Sequence, residues 1–252
     1  MKKVIIGMSG GVDSAVAAYL LKQAGYDVVG VTLRTWAGTE GQESRCCEID
    51  DARRTAYTIG IPYYAFNCVS DFESKVVEPF VQDYLCGRTP NPCVVCNREI
   101  KWERMLYHAN VLQADFVATG HYASVVKLEN GRYTVRKASH SEKDQTYMLY
   151  RLTQEQLSRT LMPLGEYSKA EVREIAAKAG IEVASNPIHR RSASLPTVTM
   201  RILSLTMKME PCRVKEIMSM SPETSWAGTK ESFTIPSVSA RDLAWPLATL
   251  CT

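Results

Sequence analysis

The sequence has no apolar run as long as a membrane-spanning helix requires, and no strong excess of either charge. With 30 basic and 27 acidic residues, the formal net charge is +3, which permits an RNA partner but does not argue for one. The apolar stretch after Met1 is too short for a secretion signal and runs directly into glycines, so we expect a cytoplasmic protein. The 252 residues are 45% hydrophobic and 23% charged, which is typical of one globular domain, alone or with a smaller addition.

Eight cysteines are expected to be thiols, catalytic groups or metal ligands rather than structural disulfides, since the cytosol is reducing. We interpret the adjacent Cys46 and Cys47 as packing residues near a loop, with extra reactive thiols as the alternative. Cys93 and Cys96 form a Cys-x-x-Cys, a spacing that also fits zinc or a disulfide.

Strand and helix patterns alternate along the first half of the chain, which predicts an α/β fold: a parallel sheet with helices on both faces. The predicted strands are 3–6, 26–33, 61–67 and 114–121, and the predicted helices are 15–24, 50–59, 71–85 and 97–112, with an irregular loop over 86–96. Asn130-Gly131 predicts a hairpin with a type I′ turn. Ser168 and Glu171 predict a capping box that opens a helix ending at Gly180.

The stretch Ser-Gly-Gly-Val-Asp-Ser, residues 9–14, lies between the first strand and the first helix and is typical of an anion site. The glycines allow a tight turn and a close approach of the backbone to a ligand. Ser9 and Ser14 add hydroxyl donors, and Asp13 can help to hold Mg²⁺ near phosphates. A glycine-rich turn without a ligand is the plainer alternative. The Lys-Ser/Thr of a Walker loop and the Gly-x-Gly-x-x-Gly of dinucleotide sites are both missing here.

This loop resembles the PP-loop of the ATP pyrophosphatase superfamily. The further stretches DARRTAYTIGIPYY, GRTPNPCVVCNREIKW, ATGHYA and KDQTYML occur in the order found in the bacterial tRNA-specific 2-thiouridylase family, which the chain resembles from Met1 to about Ser185. The resemblance implies an adenine nucleotide alpha hydrolase-like fold. It also implies ATP-dependent 2-thiolation of the wobble uridine of tRNA, through adenylation of the C2 oxygen and sulfur transfer from a persulfide.

The resemblance also implies site residues and partners. Cys96 would be catalytic; Asn91, Pro92 and Cys93 would border the target base; His121, Lys143, Asp144 and Gln145 would contact tRNA; and Gly7, Met8, Ser9, Gly10, Gly11, Val12, Asp13, Ser14, Leu33 and Gly120 would bind ATP. ATP and Mg²⁺ are the implied cofactors, and a persulfide donor protein is an implied partner beside tRNA. In some relatives Cys93, Cys96 and a third cysteine would hold an iron–sulfur cluster.

Two functional interpretations of the sequence have plainer alternatives. Cys96 precedes a helix predicted to start at Asn97, a position that favours a reactive thiolate, but an inert buried thiol is the alternative. Residues 51–54, Asp-Ala-Arg-Arg, would serve as a tRNA-binding patch or simply as a solvated helix face.

The family pattern stops abruptly after Ser185. Where the family continues with Asp-Ser-Gln-Glu-Ile-Cys-Phe, whose cysteine carries the persulfide, residues 188–194 are Ile-His-Arg-Arg-Ser-Ala-Ser. Permitted codons for residues 187–194, CCG ATT CAC AGG AGA TCT GCT TCC, encode the missing motif when they are read one base earlier. Two later stretches hide family-like sequence in the same frame. We therefore expect a single-base frameshift near the codons for 185–187, with a genuinely divergent tail as the alternative.

The expected organisation follows from this break. Residues 1–150 would form the PP-loop ATP-binding catalytic domain, 151–185 the start of a helical tRNA-binding region, and 186–252 an out-of-frame tail that packs poorly or is disordered. The chain would then be a truncated and impaired 2-thiouridylase. The alternatives are a catalytically inactive ATP-binding remnant and another PP-loop ligase.

Overall fold

The computed structural model describes residues 1–35, 46–86, 88, 90–140 and 144–181. Its strands are β1 (Lys3–Gly7), β2 (Asp27–Arg34), β3 (Tyr63–Asn67), β4 (Phe116–Ala118), β5 (Ala123–Lys127), β6 (Tyr133–Lys137) and β7 (Thr160–Leu161). Five of them form a sheet in the order β3-β2-β1-β4-β7, in which every neighbouring pair is parallel. The predicted α/β class with a parallel sheet is therefore confirmed.

Helices connect these strands in the part of the chain that the structure describes. They are α1 (Val12–Gln23), α2 (Cys46–Ile59), α3 (Val69–Phe72), α4 (Glu78–Leu85), α5 (Pro92–Cys96), α6 (Glu103–Val111), α7 (Gln154–Ser158) and α8 (Lys169–Lys178). A π-helical stretch, Glu73–Val77, joins α3 to α4, and a second one, Asn97–Trp102, joins α5 to α6. None of these helices combines the length and the apolar character that crossing a membrane requires.

The apolar run of β1 reflects a sheet that is covered on both faces. Val4 and Ile6 point into one core together with α1, α2 and α8, whereas Ile5 points into a second core that contains Trp102 and Met105. All three β1 side chains are fully buried. A central parallel strand is apolar on both faces, and that is why its sequence is a continuous run rather than an alternation.

The loop predicted over 86–96 is helical in its last five residues. The Asn91 side chain accepts hydrogen bonds from the backbone amides of Cys93 (3.1 Å) and Val94 (3.4 Å), and Pro92 occupies the first helical position. The helix then continues through Asn97 into α6. The expectation that Cys96 lies at the start of a helix is therefore wrong, because Asn91 and Pro92 start the helix one turn earlier and place Cys93 in its first turn.

The hairpin β5–β6 is confirmed, but its turn is not of type I′. Of the pair Asn130-Gly131, Gly131 alone has a positive φ, 81°, whereas a type I′ turn needs two such residues. The backbone amide of Gly131 donates to the carbonyl of Leu128 at 2.9 Å, and Leu128 in turn donates to Arg132 at 2.7 Å. The connection is therefore a longer hairpin loop that closes on a glycine.

Local signals explain the last elements before residue 182. The predicted capping box of Ser168 and Glu171 opens α8, and Gly180 follows its end with a φ of 67°. Thr153 and Gln156 form a second capping box, which starts α7 ahead of β7. The frameshift and the tail expected over 186–252 lie outside the described residues.

Candidate nucleotide site

A cavity of about 390 Å³ opens at the carboxyl ends of β1, β2 and β4. This edge is where ligands bind in open parallel sheets, and the volume suits a small ligand. Many of the residues singled out from the sequence line it together: Gly7, Met8, Ser9, Asp13, Ser14, Leu33, Cys96, Gly120, His121 and Gln145. The glycine loop and the cysteine of the Cys-x-x-Cys therefore share one cavity, although more than 80 positions separate them in the chain.

The glycine loop is closed on itself by hydroxyl groups. Ser14 donates to the carbonyl of Gly11 at 3.0 Å and accepts from the backbone amide of Ser9 at 3.2 Å. Gly10 turns the chain with a φ of 79°, a conformation that favours glycine. Gly11 then caps α1 without any side-chain hydrogen bond. The positive end of α1 thus begins at the loop, which is the arrangement that binds phosphate.

Gly120 brings the end of β4 directly against this loop. A Cβ atom at position 120 would lie 2.8 Å from the backbone nitrogen of Ser14 and 2.9 Å from the carbonyl carbon of Asp13. Both atoms belong to the main chain, so neither can move aside by changing a rotamer. The site therefore needs glycine at this position for the loop to approach β4.

The donor set at the loop fits a magnesium–nucleotide ligand. The Asp13 carboxylate and the hydroxyls of Ser9 and Ser14 line the cavity, and such oxygens are the ligands that Mg²⁺ takes beside phosphate. Asp13 lies in the first turn of α1, where Tyr122 donates to its Oδ1 at 2.8 Å. Burial, and then the charge of Asp13, raise the pKa of Tyr122, so its hydroxyl stays protonated and remains a donor.

His121 faces the same cavity as a neutral side chain. Burial, followed by the positive charge of Lys101, lowers the pKa of His121 to about 3. Its Nδ1 pairs with the hydroxyl of Thr119 at 2.8 Å, and its ring lies 5.7 Å from that of Trp102. At neutral pH this side chain can therefore offer a hydrogen bond but no positive charge.

Cys96 lies partly buried at the wall of the cavity and packs against a small cluster that contains the buried Cys68. The next residue, Asn97, fixes this part of the helix, because its Nδ2 donates to the carbonyl of Met148 at 3.0 Å. Gln145 in turn pairs with Tyr122 through both a side-chain and a backbone hydrogen bond, each 3.1 Å long. Hydrogen bonds thus connect the glycine loop to the helix of Cys96 by way of residues 144–149.

Among the described residues singled out from the sequence, those that do not line the cavity are Gly10, Gly11, Val12, Asn91, Pro92, Cys93 and Asp144. Cys93 is partly buried in the first turn of α5, and Lys143 is outside the described residues. The Asp144 carboxylate accepts from the backbone amide of Ala138 at 3.1 Å and from the hydroxyl of Thr146. It therefore fixes the end of the hairpin to the start of the 144–149 segment.

The described part of the chain does not provide a complete ligand set for an iron–sulfur cluster. There, no three side chains of His, Cys, Asp or Glu come together in a way that could hold a metal ion. Cys93 and Cys96 do not suffice by themselves, because such clusters are typically held by four ligands.

Within residues 51–54, the two arginines are exposed, whereas Ala52 is fully buried in the core. Arg53 pairs with Asp50 at 2.9 Å and Arg54 pairs with Asp51, both within one turn of α2 and both at exposed arginines. Pairs of this kind are common on helix surfaces and contribute little energy.

The cavity also contains residues that the sequence reasoning missed. Thr32 donates to the carbonyl of Met8 at 2.6 Å and accepts from Tyr63 at 2.7 Å, so it fixes the start of the loop from β2. Lys101, in the stretch Asn97–Trp102, and Met105, in α6, also line the cavity. Thr32 could have been predicted as a site residue, because it is a polar residue near the carboxyl end of an apolar strand. The others depend on how the helices pack.

Comparisons with known proteins agree with this picture. Residues 2–190 match a family described as the tRNA methyl transferase HUP domain. The tRNA-specific 2-thiouridylase MnmA of Lachnoclostridium phytofermentans is 54% identical over 203 residues, which cover 78% of this chain and 57% of that protein. The protein of the same name from Clostridium acetobutylicum is 53% identical over 188 residues, covering 72% and 53%. The chain thus spans little more than half the length of these relatives.

Solved structures align more weakly. A U34-tRNA thiolase, NcsA, from Methanococcus maripaludis aligns with a TM-score of 0.48 and 20% identity over 86% of this chain and 68% of that one. An alignment at this level carries no argument about substrate or cofactor. The family match covers most of the chain. The chain therefore belongs to the tRNA methyl transferase HUP-domain family, among the MnmA proteins of the PP-loop superfamily.

Proposed function

We propose that the cavity binds ATP with Mg²⁺ and that the protein uses it to activate a uridine of tRNA for 2-thiolation. The observation that carries this proposal is the shared cavity, in which the phosphate-binding loop, Asp13 and Cys96 face one another. The family match over residues 2–190, which includes all of these groups, and the identity above 50% to tRNA-specific 2-thiouridylases support the choice of substrate.

The ends of the cavity suggest how ATP lies in it. The phosphates belong at residues 9–14, because backbone amides and the positive end of α1 meet there. The adenosine belongs between Leu33 and Gly120, where the ends of β2 and β4 form the walls. The α-phosphate would then lie toward the side of the cavity that holds His121, Gln145 and Cys96.

The chemistry needs both halves of the cavity. A uridine C2 carbonyl is a poor electrophile, so its oxygen first attacks the α-phosphate of ATP, and pyrophosphate leaves. The terminal sulfur of a persulfide then attacks C2, and AMP leaves with the former carbonyl oxygen. Positioning the uridine oxygen and the phosphate side by side lowers the barrier of the first step, and positive groups near the departing phosphates stabilise the charge that develops.

After AMP leaves, the transferred sulfur is still bonded to the sulfur of the persulfide cysteine. The Cys96 thiolate would attack that inner sulfur, so that the S–S bond breaks and 2-thiouridine leaves with the outer sulfur. Cys96 and the persulfide cysteine then remain as a disulfide, which a thiol reductant must reduce before the next turnover.

The backbone of Cys96 is held by the hydrogen bond from Asn97 to Met148 and by the helix that Asn91 caps. Asn91, Pro92 and Cys93 occupy the start of that same helix, where they would border the base. His121, Lys143, Asp144 and Gln145 would contact the tRNA.

The persulfide itself would require a further cysteine. In the family that cysteine belongs to the motif expected in the other reading frame after residue 185, and the family match ends at residue 190, close to that point. We therefore propose that inserting one base in the codon of Pro187 restores the motif. The domain that precedes it would bind ATP in either frame, since all the cavity residues that the structure describes lie before the change.

The test is a thiolation assay with two proteins, the present chain and its frame-restored version. Each is incubated with ATP, Mg²⁺, unmodified tRNA and a persulfide donor, and the digested tRNA is analysed by mass spectrometry. We expect 2-thiouridine from the restored chain and its loss in the restored Cys96→Ser variant. The present chain is expected to bind ATP without forming 2-thiouridine. A restored chain that binds ATP but modifies no tRNA would refute the proposed function.

A further inference from the structure

Asp13 of the phosphate-binding loop is held by two side chains from outside the loop. Tyr122 donates to its Oδ1 at 2.8 Å, and Lys169 forms an ion pair with the same oxygen. Lys169 lies 156 positions further along the chain. The cavity residues deduced from the sequence do not include it, and it comes from α8 rather than from any strand of the sheet.

Lys169 is held in place rather than swinging freely at the surface. It occupies the first position of α8, directly after the Ser168 cap, and α8 packs on α1 through the buried Val172 and Ala176. Its Nζ lies 5.9 Å from the centre of the Tyr122 ring, within the range of a cation–π contact. About 29% of its side chain is exposed, so the ammonium group is partly desolvated.

The ion pair of Lys169 with Asp13 offsets the negative charge that Asp13 places in the loop. A carboxylate beside the phosphates of ATP repels them unless a cation lies between or next to them, and in a partly desolvated site the repulsion is weakly screened. Mg²⁺ can supply that positive charge when it is present. Lys169 supplies it at the same carboxylate oxygen in the present structure.

We propose that Lys169 is a positioning residue of the nucleotide site: it neutralises Asp13 before the metal arrives, and it yields the carboxylate to Mg²⁺ when the magnesium–nucleotide complex binds. This inference rests on the proposed binding of ATP. It adds a residue of α8 to a site otherwise built from the sheet and its adjoining helices.

The coupling between Lys169 and Mg²⁺ distinguishes this role from a merely structural one. Without Mg²⁺, loss of the lysine leaves the Asp13 charge facing the phosphates. With Mg²⁺, the metal provides the missing charge. A structural defect in α8 would instead weaken ATP binding equally under both conditions.

The experiment is calorimetric titration of the full chain with ATP, first in EDTA and then in saturating Mg²⁺. We expect Lys169→Met to bind ATP about tenfold more weakly than the wild type in EDTA, a change equivalent to about 1.4 kcal/mol. In saturating Mg²⁺ the difference is expected to shrink to about twofold, equivalent to about 0.4 kcal/mol. Lys169→Arg keeps the charge and is expected to stay close to the wild type in both.

Two further variants serve as matched controls. Lys178→Met removes the same charge from the exposed last turn of the same helix and is expected to bind ATP like the wild type in EDTA. Tyr122→Phe removes one hydrogen bond to Asp13 but leaves the ion pair, so its response to Mg²⁺ should match that of the wild type. If Lys169→Met folds poorly, the comparison of Lys169→Arg with Lys169→Gln replaces it.

The outcomes separate this inference from the proposed function. A wild-type chain that binds no ATP in EDTA or in Mg²⁺ overturns both. A wild-type chain that binds ATP while Lys169→Met loses nothing in EDTA overturns the role of Lys169 alone. An equal loss with and without Mg²⁺ also overturns it, because that result indicates a general disturbance of α8.

Discussion

Replacing Gly120 with alanine adds one carbon atom at the tightest backbone contact of the nucleotide site. The new Cβ would lie 2.8 Å from the nitrogen of Ser14, 2.9 Å from the carbonyl carbon of Asp13 and 3.0 Å from the Cα of Ser14. All three atoms belong to the main chain at the start of α1. The loop must therefore move away from β4 by several tenths of an ångström before the alanine fits.

The size of the effect follows from the rigidity of these neighbours. Overpacking of a well-packed region typically costs about 1–3 kcal/mol, and here no side-chain rotation can relieve it. Since the urea dependence of small proteins is about 1–3 kcal/mol per molar, a loss of about 2 kcal/mol lowers the urea midpoint by about 1 M. Moving the loop also displaces the amides that face the phosphates, so ATP affinity should fall in the same variant.

Gly11→Ala is the matched control, because it adds the same atom to the same loop. Its Cβ would lie 3.5 Å from the Ser9 hydroxyl, an ordinary contact, and its φ of −86° suits any residue. We expect its urea midpoint to stay within about 0.3 M of the wild type, the shift that about 0.5 kcal/mol would produce. A Gly120→Ala variant as stable as Gly11→Ala, with unchanged ATP affinity, would refute the reasoning about close approach.

Three further substitutions test other parts of the account. Asn91→Ala removes the cap that bonds the amide of Cys93, so the free energy of unfolding should fall by about 1 kcal/mol, whereas Asn91→Asp should retain it; equal losses in both variants would argue against a cap. Trp102→Phe removes the buried 2.7 Å hydrogen bond to Thr160 and should cost about 1–3 kcal/mol in urea unfolding. That cost should be smaller when Thr160 is already valine, and full additivity would show that the two side chains act independently. Burial lowers the pKa of His121 from 6.5 to about 3, so protonation favours the unfolded chain. The contribution of neutral His121 to the free energy of unfolding is fully present above about pH 6.5. It is lost as the pH falls towards 3, at a rate of at most about 1.4 kcal/mol per pH unit. The free energy of unfolding of the wild type, relative to that of His121→Asn, should therefore decrease between about pH 7 and pH 4, and a constant difference would contradict the lowered pKa.

Strands β1 to β4 and the loop were predictable from the sequence because their signals are local, whereas the fifth strand of the sheet, β7, was not predicted. An apolar run, then glycines, then a helical pattern follow one another at the start of the chain. This order predicts strand, loop and helix without knowledge of the remaining chain. The capping box of Ser168 is equally local, since both partners lie within four residues.

The position of Cys96 within its helix was missed because an asparagine cap was overlooked. Residues 86–96 contain two prolines and a glycine, which usually mark a loop, but Asn91 followed by Pro92 is also the pattern of a helix start. The hairpin turn was missed for a related reason: Asn-Gly favours type I′ only when the flanking strands leave two residues between them, and β5 and β6 leave five.

The contacts that assemble the site could not be deduced from the sequence. Lys169 reaches Asp13 because α8 packs on α1, and Gln145 reaches Tyr122 because the hairpin returns to the end of β4. Such contacts depend on packing between distant segments, for which one sequence contains no periodic or local signal. The resemblance to a family implied roles for Cys96, Asp13 and Gln145, but it named neither Lys169 nor Tyr122.

The account's central claim is that one cavity joins the activation of uridine by ATP to the chemistry of Cys96. Release of pyrophosphate from ATP by the frame-restored chain, with and without unmodified tRNA, tests it most directly. The account predicts release that depends on tRNA, that persists in Cys96→Ser because the first step needs no thiol, and that falls in Gly120→Ala. Absence of tRNA-dependent pyrophosphate from a restored chain that binds both ATP and tRNA would contradict the claim.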